Sequence, residues 1–187
     1  NCWCFRRNPD ESLWSLSERP GSLRLMGGAG TLGDRTPLAF VGRRQQHFDC
    51  DVATLLDFRP GGANEEAGLV VFINEEHHYE IAIAQHGRGR RVIVRRRVGD
   101  LTVVVAEKRI GSGKVRLGIS ATATKYTFLF GRNSGGAMRE LASGATHYLS
   151  SEVAGGFTGV FFGMYATGNG RRCRSPAYFD WFEYRKR

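Results

Sequence analysis

Ser150-Ser-Glu-Val-Ala-Gly-Gly-Phe-Thr-Gly-Val-Phe-Phe-Gly-Met-Tyr-Ala-Thr-Gly-Asn-Gly170 carries the pattern on which the fold is read. After Gly155-Gly156 the run alternates strictly. Thr158, Val160, Phe162, Met164 and Ala166 fall on one face of a strand. Phe157, Gly159, Phe161, Gly163 and Tyr165 fall on the other. The first set reads as a core face. The second spaces three aromatics with two glycines. Glycine inside a strand gives up packing, so it marks a place where something else comes close. A ligand, a neighbouring domain or a large side chain from the facing sheet all satisfy that reading.

The same period recurs along the chain. Phe48, Cys50, Val52, Thr54, Leu56 and Phe58 share one face of a strand over residues 47–58. Trp14 and Leu16 are expected to plug a sandwich edge. Ala67–Asn74 is nearly all apolar and reads as a central strand. Tyr79, Ile81 and Ile83 lie together on its hairpin partner. Further strands are expected over 22–26, 37–44, 91–98, 101–108, 114–121, 125–130, 155–167 and 176–184, with 137–142 short or irregular. Turns are expected at Gly87-Arg-Gly-Arg90, Gly111-Ser-Gly113 and Asn133–Gly136. No stretch holds a sustained 3.6-residue period. The chain therefore reads as all-β, a two-sheet antiparallel sandwich, with residues 1–187 forming one module.

Composition narrows the function. Of 187 residues, 41% are hydrophobic and 24% charged, ordinary for a globular protein, and no apolar run is long enough to span a bilayer. The net charge is +9, concentrated in Arg88–Arg97 and Arg171–Arg174. Arg95, Arg96 and Arg97 alternate along a strand and share no face, and no nucleic-acid motif surrounds them. A solvated, arginine-biased surface is expected, with neither nucleic acid nor membrane as partner. Cys2, Cys4, Cys50 and Cys173 contain no Cys-x-x-Cys pair; disulfides and free thiols both remain open. The chain starts at Asn1, which invites the reading that it is cut from a longer protein, and nothing in it names a compartment.

The acidic pairs Asp49/Asp51, Glu65/Glu66 and Glu75/Glu76 are expected on solvated faces or turns, not as a catalytic pair. Ser112 lacks the spacing of a nucleophile elbow. His77 and His78 are adjacent and point oppositely in a strand. Asp180 invites a structural calcium, but one carboxylate makes no oxygen cage, and no other cofactor is expected. What remains suits a sugar. Phe157, Phe161 and Tyr165 offer rings for stacking; Arg43, Arg44, Gln45, Gln46, Asn74 and His78 offer hydrogen bonds.

Five motifs occur in order: Arg19-Pro-Gly-Ser-Leu-Arg-Leu25, Val41-Gly-Arg-Arg-Gln-Gln-His-Phe48, Glu66-Ala-Gly-Leu-Val70, Glu152-Val-Ala-Gly-Gly-Phe-Thr-Gly159 and Phe179-Asp-Trp-Phe-Glu-Tyr184. Together they resemble the C-terminal concanavalin-A-like jelly-roll sandwich of glycoside hydrolase family 43 β-xylosidases, also classed as carbohydrate-binding module family 91. The resemblance implies a non-catalytic module beside an N-terminal β-propeller that holds the catalytic carboxylates. It implies xylan or xylo-oligosaccharide as ligand, and a loop that places Phe157 near the substrate, leaving Phe161 and Tyr165 deeper in the strand. The alternative is a structural domain that completes the propeller's pocket without sugar affinity of its own. The entry Asn1-Cys-Trp-Cys-Phe5 and the turn Gln85-His-Gly-Arg-Gly-Arg90 depart from the family's usual pattern.

Overall fold

The computed structural model describes residues 2–133, 135–157 and 159–187. These form strands β1 Cys4–Phe5, β2 Trp14–Ser15, β3 Leu23–Leu25, β4 Ala39–Arg44, β5 Cys50–Asp57, β6 Glu66–Asn74, β7 His77–His86, β8 Gly89–Val98, β9 Leu101–Ile110, β10 Val115–Ala121, β11 Lys125–Arg132, β12 Arg139–Ala145, β13 Phe161–Thr167 and β14 Ala177–Lys186. A one-turn helix, α1 Ser151–Ala154, separates β12 from β13. Two seven-stranded sheets result, ordered β1-β4-β13-β6-β7-β8-β9 and β12-β11-β10-β5-β14-β3-β2. Paired strands run antiparallel throughout both, as expected for the all-β sandwich.

Alternation places the core between the sheets. Phe162, Met164 and Ala166 of β13 meet Tyr79, Ile81 and Ile83 of β7 and Cys50, Val52 and Leu56 of β5. A second apolar layer covers the outer face of the first sheet. There Phe40, Val70, Ala82, Ile93 and Tyr165 sit beneath Leu32 and Leu38 from the segment before β4. The first sheet is thus buried on both faces along its middle strands. This explains the unbroken apolar run of β6, which lies between β13 and β7.

At Gly163, the single glycine of the pattern that lies within β13, the close approach comes from Phe40. A Cβ on Gly163 would stand 2.2 Å from its ring, and one on Gly42 2.8 Å. The intruder is a neighbour in the same sheet, paired across from Tyr165, rather than a side chain of the facing sheet.

Other expectations need correction. The strand expected from residue 155 starts at Phe161. Gly155, Gly156 and Gly159 have φ of 72°, 79° and 67°, in the left-handed region, so the chain bends there before entering the sheet. Thr158, expected on the core face, lies outside the described residues, as does Ser134 of the expected turn. Phe48 is exposed instead of buried, because β5 begins only at Cys50. The backbone N–H groups of Gln46 and His47 donate to the Tyr184 hydroxyl, at 3.0 and 3.1 Å, in place of a strand partner. Leu16 is also exposed, so Trp14 closes the edge without it, packing on Phe5 while Trp3 packs on Phe182. The four cysteines are free thiols.

The arginine-rich strand is less solvated than expected. Arg90 donates to the carbonyls of Phe58, Gly111 and Gly113, and Arg96 lies over Tyr79. Of the acidic pairs, Glu65/Glu66 is buried where solvation was expected, while Glu75 and Glu76 lie on the turn between β6 and β7. Glu65 is buried, accepting from the backbone of Gly61 and Arg174 at 2.7 Å each. Glu75 binds Arg6 and Arg7 at 3.0 and 2.7 Å. Burial raises its carboxyl, but those two hydrogen bonds win and bring it down to about 2. Asp180 accepts from Ser22 at 3.0 Å and pairs with Lys114.

Candidate functional site

The segment leading into β13 presents one ring to solvent. Leu149 anchors its start in the core. α1 makes a single turn, with the amides of Val153 and Ala154 donating to the Ser150 carbonyl. Gly155 then ends it with a positive φ. The Ala154 carbonyl at that end accepts from Asn74 Nδ2 at 2.8 Å, which ties the bend to the end of β6. On the far side, Gln45 N donates to Val160 O at 2.9 Å. Between these two fastenings Phe157 is 104% exposed, a ring with no cover. It is the most exposed large hydrophobic side chain among the described residues.

A cavity of about 900 Å³ opens beside this bend, lined by Gln45, His47, Tyr126, His147, Glu152 and Gly159 among others. Gln45 Oε1 accepts from the Tyr126 hydroxyl at 2.8 Å, fixing one wall.

The remaining candidates do not converge on Phe157. Arg43 and Arg44 are consecutive in β4 and point to opposite faces. The Arg43 guanidinium lies 4.3 Å from the Tyr184 ring centre and donates to Gln46 Oε1 at 2.8 Å. The Arg44 guanidinium lies 4.7 Å from the Phe161 ring centre. Phe161 is half-buried under that cation. Asn74 braces the bend, and its Oδ1 accepts from Glu76 N at 3.0 Å.

His78 and Tyr165 come together elsewhere, on the outer face of the first sheet, around a second cavity of about 330 Å³. His78 stacks on Phe72 with ring centres 5.8 Å apart, and its Nδ1 lies 3.3 Å from Asn74 O. Burial brings its pKa down to about 4, so the ring is neutral at pH 7. Tyr165 is fully enclosed. The residues that dominate this cavity, Glu66, Glu80 and Arg95, escaped sequence reasoning as a site. Arg95 grips both oxygens of Glu66, at 2.7 and 2.8 Å, and also reaches Glu80. One signal for them was available: Glu80 interrupts the apolar run Tyr79–Ile83, and a two-residue hairpin turn sets Arg95 opposite it.

The family described as "Beta xylosidase C-terminal Concanavalin A-like domain" matches residues 1–185. The chain is 43% identical over 184 residues to the Bacteroides ovatus "Non-reducing end alpha-L-arabinofuranosidase BoGH43B", covering 98% of this chain and 34% of that protein. Among solved structures, "Bacteroides ovatus Xyloglucan PUL GH43B" superposes with a TM-score of 0.95 at 42% identity, over 100% of this chain and 37% of that one. The xylan β-1,4-xylosidase of Bacillus halodurans superposes at 0.89 with 28% identity, over 99% of this chain and 37% of its own. The chain thus spans about a third of the length of the relatives it matches.

Proposed function

The chain belongs to the family of β-xylosidase C-terminal concanavalin A-like domains, and on that premise we propose that it is the non-catalytic accessory domain of a family 43 glycoside hydrolase and contributes Phe157 to sugar recognition. The bare ring of Phe157, held on a bend fastened by Asn74 and Gln45, is the observation that carries this reading. A sugar ring presents C–H bonds to an aromatic face, and that contact suits a ring offered at the tip of a bend to a pocket on a neighbouring catalytic domain. The 43% identity to an arabinofuranosidase and the match to a β-xylosidase family point to a terminal arabinofuranosyl or xylosyl residue as substrate. Xylan and xylo-oligosaccharides are the corresponding polymer ligands.

Two experiments separate help given to a catalytic domain from affinity of its own. In the longer enzyme, Phe157→Ala is expected to lower kcat/KM on aryl arabinofuranosides or xylosides about tenfold, the loss of one stacked ring. An unchanged rate would remove Phe157 from recognition. Calorimetry of the 187-residue chain with xylohexaose, beside a pull-down on insoluble xylan, reads its own affinity; a folded chain silent in both would leave only the pocket-completing role.

A further inference from the structure

We propose that the cavity of about 1250 Å³ between the β9–β10 turn and the β11–β12 turn binds the carboxylate of an acidic sugar, giving this domain a site for uronate-bearing glycans. The inference takes from the sugar-recognition reading that the ligand is a glycan. It does not involve Phe157, which lines no part of this cavity.

Lys108 and Arg109 stand near the end of β9, Lys114 precedes β10, Arg132 ends β11 and Arg139 begins β12. The sandwich brings these five cations around one cavity, with no acidic residue in its described lining. The other described cavities differ. Asp49 and Glu152 line the one beside the bend, Glu66 and Glu80 the one on the outer face of the first sheet, and Asp180 the one near Trp14. Lys114 is neutralised by Asp180. Lys108, Arg109, Arg132 and Arg139 form no ion pair among the described residues. Glu140, next to Arg139, faces the other side of β12. Like charges gathered around a cavity repel, and an anion entering it relieves those repulsions together.

The walls are held in place. Buried Arg90 donates to the carbonyls of Gly111 and Gly113, fixing the first turn. Arg116 donates to the carbonyl of Arg132 at 3.1 Å and to that of Gly136, fixing the second. The floor is apolar, made by half-buried Ile110 and Phe130 and by buried Val115. Shape and charge together select the ligand. A bare phosphate would meet the cations and leave the floor uncovered. A pyranose lays its C–H face on the floor while an attached carboxylate reaches a guanidinium or ammonium, which suits a uronate. The volume holds an oligosaccharide branch rather than a single ring. A nucleic acid strand is disfavoured, because its bases stack on several rings and Phe130 is the single aromatic residue of the described lining.

The test is calorimetry of the 187-residue chain with xylotetraose carrying one glucuronate branch, beside unbranched xylotetraose. Saturable binding of the branched sugar is expected, about fivefold or more tighter than the neutral one at low salt, and weakening as salt is raised. Arg132→Gln and Arg139→Gln, at exposed positions, should each weaken it about threefold. Both should leave the melting temperature unchanged or slightly higher, since each removes a repelling charge. Amide shifts on titration should fall at residues 110–116 and 135–139, and Phe157→Ala should leave this binding unchanged. Equal affinity for the two sugars overturns the proposal while leaving sugar recognition at Phe157 standing. No binding of the branched sugar by the folded chain overturns it as well. So does binding insensitive to both arginine substitutions, or shifts confined to residues 155–160. Inorganic phosphate or a DNA dinucleotide of the same charge, binding as tightly as the branched sugar, also overturns it and leaves an unselective basic surface.

Discussion

Phe40 occupies the space that a side chain on Gly163 would need. The pattern Phe161-x-Gly163-x-Tyr165 is therefore a packing device at its centre, and the glycine is demanded by a neighbour rather than by a ligand. Gly163→Ala is expected to destabilise the fold by about 2 kcal/mol or more, since the colliding atoms belong to a ring wedged among Phe72, Tyr165 and Val70. In a Phe40→Ala background, alanine at 163 should cost little, because the ring it strikes is gone. Urea unfolding of the four proteins of this cycle measures the coupling; additive losses would mean that Phe40 is not what the glycine accommodates. Alternation alone showed that something approaches this face. It left the identity open, because which strands are neighbours is not written in a period of two. Phe157 differs in kind: its exposure follows from three left-handed glycines, and only Gly155-Gly156 was legible in advance as a mobile lead-in.

At the scale of elements, β6 to β8 form the most predictable part of the molecule, and they also hide the least predictable chemistry. Their apolar runs and tight turns were readable because a strand buried on both faces loses its alternation. The same burial drew in charges that composition would place in water. His78 is the sharpest case, sitting against Phe72 with the Arg6 guanidinium over the other ring. Arg95 and Arg97 oppose protonation of the imidazole in addition to burial. Its pKa falls from 6.5 unfolded to about 4 folded, so the unfolded chain binds the extra proton between these values. Stability from this group is present above pH 6.5 and is lost as pH falls toward 4. Glu80, raised by burial against the pull of Arg95, works the other way, favouring the fold as pH drops. The two are separated by substitution: relative to His78→Gln, the parent chain should lose about 2–3 kcal/mol between pH 7 and 4.5. Denaturant titrations at the two pH values check this, and parallel pH profiles for the two proteins would refute it.

At the scale of the whole molecule, the second sheet is completed only by the last strand. β14 lies between β5 and β3, so it joins segments that stand far apart in sequence. Its inward residues Ala177 and Phe179 belong to the main core, with Phe182 and Tyr184 packed against it. The Tyr184 hydroxyl also holds the turn before β5, and the Phe182 ring meets Trp3 near the other terminus. The sequence made β14 recognisable as a strand, but its central place in the sheet was not legible, since terminal strands are as often at an edge. A chain ended before Ala177 would leave the flanks of both β5 and β3 unpaired and remove two fully buried core residues. It is expected to show no cooperative unfolding transition in heat or urea. Removal of Arg187 alone, which ties the terminus to Asp49, Asp51 and Ala121, should cost no more than about 1 kcal/mol. If the shortened chain unfolds cooperatively, the sandwich does not depend on closing its middle with β14. With a topology made of such distant pairings, the intact chain folds slowly for its size, on the order of milliseconds to seconds. Stopped-flow refolding of the intact chain reads that rate directly.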